Sequence, residues 1–242
     1  MKILITNDDG INNIGIRLLA EWAKKLGEVI VVAPKEEQSA KSHAIDFTRP
    51  IEIKKVPFID GVTAYSMDST PADCVRFAVL GLKEKYDLVL SGINKGVNLG
   101  GDIVYSGTVG AIFEAARLNI KAIAFSSFPE DQVAASKYFD EVYDYIVRND
   151  MFAENGLFNV NIPEEVKGIR MTYQGSPYFS DAFELMEGSE EIYVQVGAPV
   201  PDECPDDMDR DTVAILHGYI TVTPLLATRT NMQAFHKFKN CN

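Results

Sequence analysis

Cysteine, histidine, positive charge and long apolar runs are all scarce in this 242-residue chain. Its 3 cysteines, Cys74, Cys204 and Cys241, are odd in number and follow no metal-ligand spacing. That excludes a disulfide framework or a zinc cluster and fits a reduced, cytoplasmic protein. Lys and Arg number 23 against 35 Asp and Glu, a net charge of −12. Binding nucleic acid through its phosphates needs an excess of cations, so a nucleic-acid polymer is not expected as the main partner. The apolar start turns polar at Asn7-Asp8-Asp9, too early for a signal-peptide core. No run approaches the ~20 apolar residues of a membrane span, so no membrane partner is expected.

Several common motifs are also missing. There is no Gly-x-x-x-x-Gly-Lys-Ser/Thr, which disfavours a P-loop kinase or ATPase. No Gly-x-Gly-x-x-Gly follows the first strand, which weakens a nicotinamide dehydrogenase. A serine-hydrolase Gly-x-Ser-x-Gly elbow is absent, and Asp8-Asp9 lacks the Asp-x-Asp spacing of aspartyl-phosphate phosphatases.

What is present is a chain of ordinary globular composition, 46% hydrophobic and 24% charged, long enough to bury a sizeable core. The charge is uneven. Residues 1–128 carry 15 basic and 15 acidic groups, residues 129–211 carry 5 and 20, and residues 212–242 carry 3 and none.

Short apolar runs at Ile3-Leu4-Ile5, 29–33, 87–90 and 120–125 read as buried parallel strands. Helical spacing follows the first run from Ile14 to Leu26 and recurs near 70–82, 107–118 and 132–148. Strands alternating with helices predict βαβ units in a mostly parallel sheet with flanking helices. Residues 51–65 break the rhythm and read as an antiparallel hairpin or excursion attached to that core. After Pro163 the pattern changes again. Strands are expected at 170–173, 192–196 and 219–222, a helix at 209–216, and a proline-rich acidic loop around Pro199, Pro201 and Pro205. The division is therefore a catalytic core over 1–163 and a smaller β-rich C-terminal subdomain or assembly arm over 164–242, integrated as one unit.

Three strands end in polar, glycine-containing loops: Asn7-Asp8-Asp9-Gly10, residues 38–43, and residues 91–102. Open parallel sheets bind ligands at the carboxyl ends of their strands. Asp8 and Asp9 side by side repel, and a divalent ion removes that cost. Magnesium and manganese take oxygen ligands, and Ser39 and Asn94 offer neutral ones. On its own Asp-Asp-Gly reads first as a turn and helix cap, but its place after the first buried strand reverses that in favour of the ligand reading. Ser106-Gly107-Thr108 opens a helix, where hydroxyls and free N–H groups make an anion site or an ordinary cap. A cation beside a phosphate cradle suits metal-assisted phosphoryl transfer. His43 reads as a general acid or as a hydrogen-bonding partner of a neighbouring loop, and Lys95 as a phosphate contact or a solvated lysine. His217 and His236 read as structural, Cys74 as core, and Phe235 and Phe238 as a docking tail or a frayed end. A nucleotide-binding module without turnover and a different phosphoryl or glycosyl transferase fit the same loops.

The motifs Asn7-Asp8-Asp9-Gly10, Val32-Ala33-Pro34 with Gln38-Ser39, Ser91–Asn98 and Tyr105–Val109, followed by Asn159–Pro163 and Gly218–Leu225, together resemble the SurE (survival protein E) family along almost the whole chain. The resemblance implies a Rossmann-like α/β domain whose C-terminal part assembles a homodimer or homotetramer. It implies a metal-dependent phosphatase of nucleoside 5′- and 3′-monophosphates, with short polyphosphate as a further substrate. It makes Asp8, Asp9, Ser39 and Asn94 the ligands of one magnesium or manganese ion per subunit. Asn98, Ser106, Gly107 and Thr108 would line the phosphate site. Asp8 would orient or activate the attacking water, or attack phosphorus itself. Ala40 and Ile14 depart from the glycine and proline the family often has there.

Overall fold

The chain runs β1 (Lys2–Thr6), α1 (Ile14–Ala23), β2 (Glu28–Pro34), β3 (Ile53–Val56), β4 (Thr63–Met67), α2 (Pro71–Arg76), β5 (Leu88–Lys95), α3 (Gly107–Arg117), β6 (Lys121–Ser127), α4 (Gln132–Ala135), α5 (Phe139–Arg148), α6 (Met151–Glu154), β7 (Leu157–Ile162), β8 (Gly168–Met171), β9 (Phe179–Leu185), β10 (Tyr193–Pro199), α7 (Asp211–Leu216), β11 (Tyr219–Pro224) and α8 (Met232–Phe238). The structure, a computed structural model, describes residues 1–129 and 132–239, so Cys241 lies outside the described residues.

Every apolar run read as a buried strand is one. They join a nine-stranded sheet of order β3-β4-β2-β1-β5-β6-β7-β11-β8. From β4 to β7 the neighbours are parallel. A central parallel strand is apolar on both faces because each face meets a helix layer. β1 shows this residue by residue. Ile3 and Ile5 pack with α1 and α5, while Leu4 packs on the other side with α2 and α3. The first layer is built around Phe139, whose ring lies 5.0 Å from Phe125 and 5.3 Å from Trp22. Cys74 is buried in the second layer, as expected.

Helix starts follow their capping residues. The Asn13 side chain accepts from the Gly15 N–H, Thr70 caps α2 with Pro71 as its first residue, and Ser106 caps α3. Ile14 opens α1, a position that also suits proline.

Two expectations change. The segment over 51–65 does form an antiparallel pair, β3 with β4, but it is no appendage, because β4 pairs in parallel with β2 and extends the main sheet. The region after 163 divides between two sheets. β8 and β11 complete the large one, with β11 antiparallel to β7, whereas β9 and β10 stand apart as a two-stranded antiparallel arm. β7 and β9 carry no strand signal in the sequence reading. Among the described residues no helix is long and apolar enough to cross a membrane.

Candidate active site

The loops that end β1, β2 and β5 meet at one rim of the sheet, beside the start of α3. The β1 loop sets the geometry. Asp8 is 3% exposed, and both of its carboxylate oxygens are held by Thr108. The Thr108 N–H donates to Oδ2 at 3.1 Å and its hydroxyl donates to Oδ1. Burial pushes the Asp8 carboxyl above its ordinary value, and the two Thr108 bonds oppose that. Gly107 makes the approach possible, since a Cβ there would lie 3.0 Å from both the Asp8 Cβ and Oδ2. Asp9 accepts the Lys95 N–H at 2.9 Å, which ties the β1 loop to the end of β5. Burial lifts the Asp9 carboxyl to about 6, against the Lys95 hydrogen bond, and the charges of Asp8 and Glu37 add to the rise.

The β2 loop is drawn in by its backbone, with the Gln38 N–H donating to the Asp8 carbonyl at 2.7 Å. The Ser39 hydroxyl donates to Glu37 Oε1 at 2.5 Å, which leaves its oxygen lone pairs available to a cation. Ala40 has φ +58°, in the left-handed region that glycine enters freely. In the β5 loop, Asn94 donates its amide to the Gly96 carbonyl at 2.7 Å, leaving its carbonyl oxygen for a ligand. Asn98 is fixed on three sides. Its N–H donates to Asn161 Oδ1 at 2.7 Å, its amide donates to Ser126 Oγ at 2.7 Å, and its carbonyl accepts from Asn159 and Asn161, each at 2.8 Å.

The predicted residues therefore converge. Asp8, Ser39, Asn94, Asn98 and Ser106 line one cleft of about 440 Å³. Asp9 stands beside Asp8, while Gly107 and Thr108 lie behind the carboxylate, with both Thr108 donors spent on Asp8 rather than facing the cleft. Among the described residues no three His, Cys, Asp or Glu side chains come together as a metal site, so the donor set is two carboxylates with neutral oxygens. That is the choice of a hard cation such as magnesium or manganese, and the residues fit one.

His43 lies off the cleft, with Nε2 2.8 Å from Glu114 Oε2 on α3. Glu114 is 2% exposed and also accepts from Arg76 and Arg117. Burial alone would raise its carboxyl, but the bonds from His43 and Arg117 outweigh this and hold it at about 2, against 4.5 ordinarily. A depressed carboxyl stabilises the fold at pH values above its unfolded value and loses that contribution as pH falls toward the folded one. Stability worth roughly 2 to 3 kcal/mol is therefore expected to disappear between pH 4.5 and 2. Denaturant melts across that range should show a shallower pH dependence for Glu114→Gln, and an unchanged slope would sink the assignment. The cluster fastens the Ser39 loop to α3 together with the Ser42 N–H, which donates to the Tyr105 carbonyl at 2.9 Å. A Cβ on Gly110 of α3 would fall 2.2 Å from the Ser42 carbonyl oxygen.

Sequence reasoning missed the opposite wall, which the arm supplies through Tyr178, Phe179, Asp181, Gln195 and Gly197. It also missed the acids that anchor the arm. Asp102 accepts the N–H groups of Tyr178 at 2.7 Å and Phe179 at 2.9 Å. Asp202, read only as part of a proline-rich acidic loop, is buried and accepts from the Ser176 N–H at 2.8 Å and the Thr212 hydroxyl at 2.5 Å, beside Arg210. Asp211 accepts the N–H groups of Gly100 at 3.0 Å and Gly175 at 2.8 Å. The signal was available in part, since an aspartate within a turn commonly binds nearby backbone N–H groups.

Comparisons with known proteins identify the family. The family model described as Survival protein SurE matches residues 3–181. A protein of Thermoanaerobacter sp. (strain X514) named 5′-nucleotidase SurE is 39% identical over 234 residues, covering 93% of this chain and 92% of that one. One of the same name from Alkaliphilus metalliredigens (strain QYMF) is 38% identical over 253 residues, covering 100% and 99%. The crystal structure of the SurE protein from Aquifex aeolicus superposes with a TM-score of 0.83 at 36% identity, covering 99% of this chain and 98% of that one. Matched in sequence along nearly its whole length and in its fold, the chain belongs to the SurE family.

Proposed function

We propose that the protein is a divalent-metal-dependent phosphatase that hydrolyses nucleoside 5′-monophosphates to nucleoside and phosphate. The observation that carries this reading is the charge of the cleft. Among the described residues its lining holds Asp8, Asp102 and Asp181 but one cation, Lys95, so a phosphate dianion is received there only with a metal charge beside it. The 5′-nucleotidase name of the relatives supports the substrate class. The same phosphate-end chemistry extends to 3′-monophosphates and short polyphosphate.

One magnesium or manganese ion per subunit, held by Asp8, Asp9, Ser39 and Asn94, would offset the carboxylate charge and acidify a water. Asp8, fixed by Thr108 at both oxygens, orients the attacking water toward phosphorus and takes its proton. Asn98 has one amide hydrogen committed to Ser126 and turns the other to a phosphate oxygen. Ser106 accepts the Val109 N–H at its hydroxyl, which leaves the hydroxyl proton for a second phosphate oxygen. The Gly107 N–H, at the head of α3, adds a donor at the positive end of the helix.

The outer half of the arm carries Phe183, Leu185 and Tyr193, exposed beyond the part of the same face that lines the cleft, and α8 exposes Met232, Phe235 and Phe238. These surfaces are assigned to a homodimer or homotetramer. The free cysteines and the lack of a membrane-crossing helix among the described residues accord with a cytoplasmic protein.

A matrix of metals against nucleotides tests the reading. With manganese or magnesium and AMP the protein is expected to release phosphate, and chelation should stop it. Nucleotide binding without phosphate release under every metal would overturn it in favour of a sensing module.

A further inference from the structure

The phosphate end of the cleft accounts for Asp8, Asn94, Asn98 and Ser106, but not for the wall the arm contributes. Among the described residues that wall holds no cation and is rich in acceptors and aromatic surface. β9 and β10 pair with Asp181 opposite Gly197 and Phe179 opposite Pro199, so alternation places Phe179, Asp181, Gln195 and Gly197 on one face of the ribbon. The Gln195 amide donates to Asp181 Oδ1 at 3.3 Å, which orients the carboxylate and leaves Oδ2 unclaimed. Gly197 lets the two strands lie close at this point, since a Cβ there would fall 2.7 Å from the Ser180 carbonyl oxygen. Phe179 is 41% exposed and Tyr105, across the cleft, is 56% exposed. Aromatic rings left half open in a polar cleft are suited to a flat base.

A carboxylate facing a phosphate dianion is repulsive unless the ligand brings hydrogen-bond donors to it. A ribose supplies two adjacent hydroxyls, which a carboxylate accepts together, as acidic residues do in dinucleotide folds. Resting on the phosphatase reading above, we infer that the arm forms the nucleoside subsite, with Asp181, oriented by Gln195, accepting the 2′- and 3′-hydroxyls of the ribose. The arm has a second role in this arrangement. Its root is fixed to the catalytic floor through Asp102, three residues before Tyr105 and four before Ser106, so the ribose-binding wall and the phosphate cap share one support.

The test compares AMP with 2′,3′-dideoxyadenosine 5′-monophosphate, using manganese and the full-length protein. A buried or oriented acceptor rejects a ligand lacking its donor, so wild type should favour AMP in kcat/KM by about tenfold or more. Asp181→Ala should bring the ratio close to one, and Asp181→Asn, which keeps an acceptor, should give an intermediate ratio. Asp181 is exposed, so both variants are expected to fold, and melting curves will show it. No preference in wild type, a preference that survives Asp181→Ala, or an equal loss on both nucleotides with the ratio unchanged would each overturn the inference. Release of phosphate from p-nitrophenyl phosphate but from neither nucleotide would instead overturn the nucleotidase reading itself, so the two failures are distinguishable.

Discussion

Asp8→Asn is expected to lower phosphate release from AMP by about 10³-fold while the protein stays folded. The substitution keeps the size of the side chain and one acceptor for Thr108, but removes the charge and the proton acceptor. It also removes a carboxylate buried at 3% exposure, whose ionised form burial disfavours. The melting temperature of the metal-free variant should therefore match or exceed that of wild type. Phosphate assays and thermal melts on the same preparation check both halves. A variant retaining more than about a tenth of the activity would remove Asp8 from the centre of the chemistry.

Gly110→Ala is expected to lower kcat/KM by about 10²-fold and to depress the melting temperature, although residue 110 touches no substrate. The added methyl meets the Ser42 carbonyl oxygen at 2.2 Å and the His43 Cα at 3.1 Å, all of it backbone, so α3 and the Ser39 loop must move apart. That loop holds Ser39 and, through Gln38, the Asp8 carbonyl. Displacement of a ligand loop by an ångström or so is enough for the loss. Gly156→Ala provides the control, because a Cβ there meets nothing within 4 Å. If the two variants behave alike, the close approach at Gly110 does not position the site.

The floor of the site was legible because its residues sit where short apolar strands end. Ile3-Leu4-Ile5 places Asp8 and Asp9, and residues 29–33 place Ser39, since a parallel sheet puts all such loops on one rim. β7 was not legible. Asn159 and Asn161 interrupt its apolar pattern and look like loop residues, yet both are fully buried, because each donates to the Asn98 carbonyl. Polarity inside a core strand there serves the site rather than solvent. β9 escaped for the opposite reason. All seven of its residues are exposed, so no core imposes a pattern on it. Asp181 and Gln195 join the cleft only through cross-strand pairing, and Glu114 meets His43 from 71 residues away, relations that no local spacing reveals.

β1 locks the phase of the whole catalytic rim. Its side chains alternate between two separate cores, Ile3 and Ile5 in one and Leu4 in the other, and Asp8 continues on the Leu4 side to meet α3. Losing one residue from this strand would send each isoleucine into the wrong layer and present the neighbouring aspartate to Thr108. In evolutionary terms, the strand tolerates exchange of one aliphatic residue for another far better than any change of length. The spacing between Ile3 and the aspartate pair is held by packing before selection on catalysis acts.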